Sequence, residues 1–537
     1  KSYLWSAGLR MVVFSFLMFF VSVMAAYLAS GVAAGIGRDL RSKIYKNVIS
    51  FSNAEMDKFS TASLITRSTN DVQQIQQVSV MLLRMALFAP IMGLGGVYNV
   101  TQTGAKMGWV IAVALVVIFL IIALLVVVAM PKFKKMQVLV DDMNLVSREI
   151  LTGLSVIRAF GREEEEEKRF DEANQKLRKN QLFTNRVMTF MFPTMILIMD
   201  VLVIGITWVS ANRIDMGTLR VGAMTAFISY SIQIVMSIVM LTVMSIILPR
   251  ASVAADRIDE VIRSKSSILN PKEPKSLPLN GEAGEANGVL EFEHVSFRFP
   301  GAENNVIEDI SFAIRPGTVT AMIGSTGAGK STIVNLIPRF YDVTEGSIKL
   351  NGVDLRELDL KELRNQIGLV PQKGTLFSGT IASNLRFGNN EADDVQLKEA
   401  AEIAQALDFI EEKADGFDTS ISQGGSNVSG GQKQRLAIAR AIAKDPSVYV
   451  FDDSFSALDM KTDAKLRKAL SEKTKDASVL IVAQRISTII NADNILVLDE
   501  GRIVSSGKHE ELLKTCDVYA QIASSQLSNK ELGIEEA

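Results

Sequence analysis

The sequence predicts a two-part chain: an all-α transmembrane domain followed by an α/β nucleotide-binding domain. Three observations carry that expectation. Apolar residues make up 48% of the 537 positions, the mean hydropathy is +0.22, and the excess lies in the first half, which is too apolar for an ordinary soluble domain. A polar stretch with Pro271, Pro274, Pro278, Gly281 and Gly284 then interrupts the pattern. Beyond it strand-like and helix-like segments alternate, and Gly324-Ser325-Thr326-Gly327-Ala328-Gly329-Lys330-Ser331-Thr332 fits G-x-x-x-x-G-K-[ST] between a β-branched run and a helical one. The expected domains are 1–263 (transmembrane, with long cytoplasmic extensions), 264–288 (linker) and 289–537 (nucleotide-binding).

Five stretches of the first part can cross about 30 Å of hydrocarbon, each needing ~20 residues as a helix. They are Met11 to Ile36, Val78 to Val97, Met107 to Met130, Val187 to Val209 and Val221 to Leu248. Lysine and arginine crowd the connections after the first and third spans (Arg38, Arg41, Lys43, Lys132, Lys135, Arg148), whereas the opposite connections offer Lys106, Arg213 and Arg220. The long basic connections are therefore expected in the cytoplasm of a multi-pass protein of the cell membrane. Trp5, Trp109 and Trp208 fall near outer span ends, where indole prefers the interface. Five crossings with the second domain inside leave Lys1 outside, so six spans are expected in the intact protein, with a first helix absent from this chain. No cleaved targeting segment is visible.

The cytoplasmic connections read as helical extensions of the spans, with breaks at Phe51 to Phe59 and Val156 to Gly161 where each projection turns back. Glu163 to Glu167 reads as a solvated helix face. Within the spans the ionisable residues are Arg84 and Asp200. Asp200 sits mid-span and is a candidate for substrate contact or for a satisfied interhelical contact. Methionine recurs at helical spacing in Met188, Met191, Met195, Met199 and in Met236, Met240, Met244. Ordinary packing and an adaptable apolar cavity both fit that stripe.

In the second part, glycines let the 324–332 backbone curl so that N–H groups and a helix N-terminus face one anion. Lys330 would reach the β- and γ-phosphates of ATP, and the Ser331 hydroxyl would bind Mg2+. Val448 to Asp452 reads as a buried strand ending in a carboxylate, suited to hydrated Mg2+. The near-zero net charge, −2, gives no reason to expect a nucleic-acid partner. A single cysteine, Cys516, excludes an intrachain disulfide and fits a reducing compartment.

In order and spacing, the 324–331 loop, Val370-Pro371-Gln372, Val428-Ser429-Gly430-Gly431-Gln432 and Val448 to Asp453 together resemble an ABC exporter half, with a six-helix membrane domain fused to an ATP-binding domain. The resemblance covers nearly the whole chain. It implies that Phe299 stacks on adenine, that Gln372 reaches Mg2+ and the attacking water, and that Leu64 to Asp71 and Val156 to Glu163 are inward loops whose short coupling helices dock on ATP domains. It also implies that Ser429, Gly430, Gly431 and Gln432 close over the ATP of a second half-transporter, and that Asp459 lies on the loop crossing to the opposite site.

Two departures from the family pattern bear on function. Asp453 stands where the family usually has a glutamate base, and Gln484 stands where it has a histidine facing the γ-phosphate. The two histidines, His294 and His509, lie elsewhere in the sequence. A smaller departure puts Gln423 where many exporters have glutamate. The resemblance thus extends to the degenerate-site subunit of bacterial heterodimeric multidrug exporters, embedded in membrane lipids and moving a hydrophobic small molecule. A lipid or peptide exporter half, or a nucleotide-gated channel or regulatory subunit, are the alternatives. A channel would want charged rings along a pore, which the membrane half barely offers. Asp200, Met195, Met199, Met236 and Met240 are the candidate substrate-cavity residues.

Overall fold

The computed structural model describes residues 2–103, 107–278 and 288–527. The chain divides into two units, Lys1–Tyr45 with Leu64–Ile262, and Lys46–Ser63 with Arg263–Ala537. Residues 279–287 of the expected linker and Lys106 lie outside the described residues, as do the side chains of Met188 and Met191.

The first unit is helical. Its elements are α1 (Ser2–Ser50), which runs on into the second unit, α3 (Thr61–Thr66), a π-helical turn (Arg67–Asp71), α4 (Val72–Met85), α5 (Phe88–Gln102), α6 (Gly108–Thr152), α7 (Leu154–Ala159), α8 (Glu163–Asp215) and α9 (Val221–Arg263). Among the described residues four helical stretches are long and apolar enough to cross a membrane: Ser2–Ser50, Thr61–Gln102, Pro193–Asp215 and Val221–Arg263. Gly108–Ile121, at the start of α6, is a shorter apolar helix. Along α1, Phe14, Phe16, Leu17, Phe19 and Phe20 are all more than half exposed. Large apolar side chains open on every face suit a helix whose solvent is hydrocarbon. A buried cluster of Met107, Ile118, Ile206, Phe227 and Val235 ties α6, α8 and α9 together.

Two local expectations change. The span Val78 to Val97 is interrupted between α4 and α5 at Ala86 and Leu87. Pro90 has no N–H to return to the Ala86 carbonyl, so the break falls one turn before it. The first inward connection also places its isolated short helix earlier than Leu64 to Asp71. That helix is α2 (Asn53–Phe59), opened by a capping box in which the Ser52 side chain accepts from Ala54 N–H and Ser52 N–H donates to Glu55 Oε2 at 3.0 Å. Leu64 to Asp71 instead forms the end of α3 and the π-helical turn.

The second unit is built on β1 (Leu290–Phe297), β2 (Ile307–Ile314), β3 (Val319–Gly324), α10 (Lys330–Leu336), β4 (Glu345–Leu350), β5 (Val353–Asp354), β6 (Ile367–Val370), β7 (Gly379–Thr380), β8 (Ser420–Ile421), β9 (Val448–Asp452), β10 (Ser478–Val482), β11 (Asn494–Asp499) and β12 (Arg502–Gly507). A six-stranded sheet runs β12-β11-β3-β10-β9-β6, and a four-stranded antiparallel sheet runs β2-β1-β4-β5. Within the larger sheet β11, β3, β10, β9 and β6 are parallel, and β9 and β10 are buried at every position. Such strands read as continuous apolar runs because helices cover both faces. The α2 helix packs here through Ala54, and Tyr341 Oη donates to Asp57 Oδ2 at 3.0 Å.

Candidate functional site

Parallel register brings the expected motifs to one edge. Val482 of β10 pairs with Met322 of β3 on one side and with Asp452 of β9 on the other, and Val370 of β6 pairs with Phe451. The residues that leave the carboxyl ends of these strands, Gly324 onward, Gln484, Asp453 and Gln372, therefore emerge side by side, where open α/β sheets hold their ligands.

A cavity of about 500 Å³ opens there, lined by the 324–327 and 329–332 backbone and by Gln372 and Gln484. Two glycines are required here, Gly324 by close backbone packing and Gly329 chiefly by its left-handed φ. A Cβ on Gly324 would lie 2.1 Å from the Leu498 carbonyl oxygen, and one on Gly329, at φ +96°, would lie 2.3 Å from Ile307 Cδ1. Lys330 Nζ donates to the carbonyl oxygens of Gly324 at 2.8 Å and Ser325 at 2.7 Å, folding its ammonium back over the loop. Burial holds the Lys330 pKa below its ordinary value, and the nearby Asp452 and Asp453 charges oppose that shift. An arriving phosphate would give this partly desolvated cation a full counter-charge.

Asp452 is buried and hydrogen-bonded to the Ser331 side chain; burial pushes its pKa up, and the Ser331 hydrogen bond limits the rise. Hydroxyl and carboxylate oxygens side by side fit a hard divalent cation. Among the described residues no group of three or more His, Cys, Asp or Glu side chains could hold a metal alone.

Asp453, in a left-handed conformation with φ +48°, is buried. Its Oδ2 accepts from Gln372 Nε2 at 3.3 Å and from Gln484 Nε2 at 3.0 Å. Three residues singled out separately in the sequence thus form one hydrogen-bonded group.

Other expected residues stand apart from this cavity. Phe299 is half-buried, packed edge-on against Phe297 and Tyr341 with centroids 4.9 and 5.4 Å away. Ser429 caps the helix Gly430–Lys444 and forms a capping box with Gln432. Gly430 has open space where a side chain would be. Asp459 caps Met460–Lys473 by accepting from Thr462 N–H at 3.0 Å. In the helical unit Met195 and Met199 pack against the buried cluster, while Asp200 and Met236 are exposed and Met240 is half-buried. Sequence reasoning passed over Tyr341, Asp57, Ile522, Ser525 and Gln526. The last three line the cavity from the C-terminal end of the chain, and no motif marks them.

Comparison with known proteins adds family and fold. The profile of the ABC transporter transmembrane region matches residues 6–238, and that of the ABC transporter family matches residues 307–456. An uncharacterized ABC transporter ATP-binding protein of Mycobacterium tuberculosis is 42% identical over 515 residues, covering 95% of this chain and 87% of the relative. The ATP-dependent lipid A-core flippase of Pseudomonas aeruginosa is 34% identical over 514 residues, covering 93% and 82%. A solved bacterial Atm1-family ABC exporter with ATP bound superposes with a TM-score of 0.79 at 24% identity, covering 98% of this chain and 92% of that one. That last likeness concerns fold alone.

Proposed function

This chain belongs to the ABC transporter family, as a fused exporter that joins a transmembrane region to an ATP-binding domain, and from that premise we propose that it is the weakly catalytic half of a heterodimer. Its own P-loop site holds ATP with Mg2+ on Ser331, Gln372 and Asp452 and hydrolyses it slowly. Its Ser429-Gly430-Gly431-Gln432 segment completes a faster site on a partner half-transporter.

The observation that carries this reading is the state of Asp453. Aspartate is one methylene shorter than glutamate, so on the same backbone its carboxylate is withdrawn by ~1–1.5 Å, and a misplacement of that order can cost ~100-fold in rate. One oxygen of this carboxylate, Oδ2, already accepts two amide hydrogens, from Gln372 and Gln484, which ties the side chain to its neighbours. Gln484 can donate to a γ-phosphate but cannot become a cation. A homodimer would carry both departures in both sites, which favours a partner that supplies glutamate and histidine.

In the working cycle ATP closes the paired domains, and α2 passes the closure to α1, two residues upstream in the chain. Hydrolysis at the partner-side site then resets the membrane helices. The cargo is a hydrophobic or amphipathic compound. The relatives named lipid A-core flippases favour a lipid within that class as a second reading.

The test is ATPase activity of this chain purified with its partner. Removing the partner's base should abolish turnover, while Asp453→Asn should change it less than twofold. Equal losses would refute the asymmetric reading, as would brisk hydrolysis by this chain alone as a symmetric pair.

A further inference from the structure

The loop that carries Gln484 is pinned from the far end of the chain. Gln526 Nε2 donates to the Gln484 carbonyl oxygen at 2.8 Å, and Gln526 Oε1 accepts from Ile486 N–H at 2.9 Å. One carboxamide thus grips the backbone on both sides of Arg485. Its own position is well fixed. It follows the helix Asp517–Ser524, whose Tyr519 and Ala523 are fully buried in the core, and its N–H donates to the Ala523 carbonyl at 3.1 Å. The same segment walls the nucleotide cavity through Ile522 and Ser525.

We propose that Gln526 is a positioning residue for this chain's nucleotide site, holding the 484–486 loop so that the residue 484 side chain reaches the group at position 453 and the γ-phosphate beyond. The geometry has the form a positioning clamp requires. A glutamine amide is donor and acceptor at once, and the loop presents one acceptor and one donor at the matching spacing. Without it, pairing with β3 holds the backbone through Ala483, whose N–H donates to the Met322 carbonyl at 3.1 Å, and the chain is next anchored by the buried Ile486 side chain; between them Gln484 keeps its side-chain bond to Asp453. The inference rests on the proposal that position 484 serves the nucleotide site.

Two measurements on the full chain in its assembled transporter test it. Amide hydrogen exchange at Ile486 should quicken roughly tenfold in Gln526→Ala, the scale of losing one or two ordinary hydrogen bonds. Unchanged exchange overturns the clamp. The second uses an Asp453→Glu, Gln484→His background with the partner's base removed, so that only this chain's site turns over. There Gln526→Ala should lower kcat about tenfold with KM within twofold, and an unchanged kcat overturns the positioning role.

Gln526→Glu separates positioning from bulk packing. As a carboxylate it accepts from Ile486 N–H but faces the residue 484 carbonyl without a donor, so kcat should fall as for alanine. On acidification the neutral acid regains an O–H donor, and kcat relative to the Gln526 parent at the same pH should recover. A deficit that stays constant with pH counts against the clamp. If the background itself shows no gain in hydrolysis, the asymmetric-site reading fails, and the exchange measurement alone decides this inference.

Discussion

Asp453 and Gln484, 31 residues apart in the chain, meet through a 3.0 Å hydrogen bond from amide to carboxylate. Two departures from the family pattern are therefore one structural unit, and they should be reversed together. Asp453→Glu with Gln484→His is expected to raise hydrolysis at this chain's site by tens of fold, toward the ~100-fold that a 1 Å displacement can withhold. The measurement is ATPase activity with the partner's base removed. No gain from the pair would mean that position 453 is not what limits the site.

Lys330 should govern nucleotide binding more than turnover. Its ammonium bonds to two backbone carbonyls and is partly desolvated. Lys330→Ala should weaken ATP binding at this site by roughly ten- to a hundredfold, the range for losing a charged hydrogen bond. Titration of a fluorescent ATP analogue reads it.

Asp452 should make Mg2+ binding sensitive to acid. Burial raises its pKa, so as pH falls the proton competes with Mg2+ earlier than at an ordinary aspartate. Mg2+-dependent ATP binding should weaken on acidification sooner than it would at an ordinary aspartate, and Asp452→Asn should bind weakly with a flat profile. For the metal-free fold the sign reverses. A folded pKa above the unfolded one means the native state holds the proton more tightly, so the protonated group favours folding at low pH and that contribution is lost as pH rises through the folded value. Metal-free melts should show Asp452→Asn gaining stability relative to the parent as pH rises.

Tyr341 joins the nucleotide domain to α2. Burial and the Asp57 hydrogen bond push its phenol pKa up to about 12, so it remains a donor throughout the physiological range. Its ring meets Phe299 edge-on at 5.4 Å. Tyr341→Phe keeps the rings and removes one hydrogen bond, costing about 1 kcal/mol. ATP binding should persist while transport per ATP hydrolysed falls. Transport and hydrolysis falling in parallel would place Tyr341 in the fold and not in the coupling.

Much of the fold was legible because its signals are local. Glycines, Lys330 and Ser331 are contiguous, so the loop could be read without knowing its neighbours. Spans announce themselves by length, since hydrocarbon thickness sets how many apolar residues a helix needs. The interruption at Ala86 and Leu87 was harder. A proline such as Pro90 permits a kink, but where the helix restarts depends on packing as well as on one missing hydrogen-bond donor. The α2 helix was hinted at only as a break at Phe51 to Phe59, because a seven-residue helix is too short to show a period.

The sequence by itself determined the two-part organisation, the P-loop, the signature and the substitutions at 453 and 484, because each is written in residue type at a fixed place. Tertiary structure alone decided that Gln372 and Gln484 share one oxygen of Asp453, that Tyr341 reaches Asp57 and that Gln526 grips the Gln484 loop. Those contacts join segments as much as 284 residues apart. Parallel strand register and the burial of a C-terminal helix set their distances, and neither leaves a periodic trace in the chain.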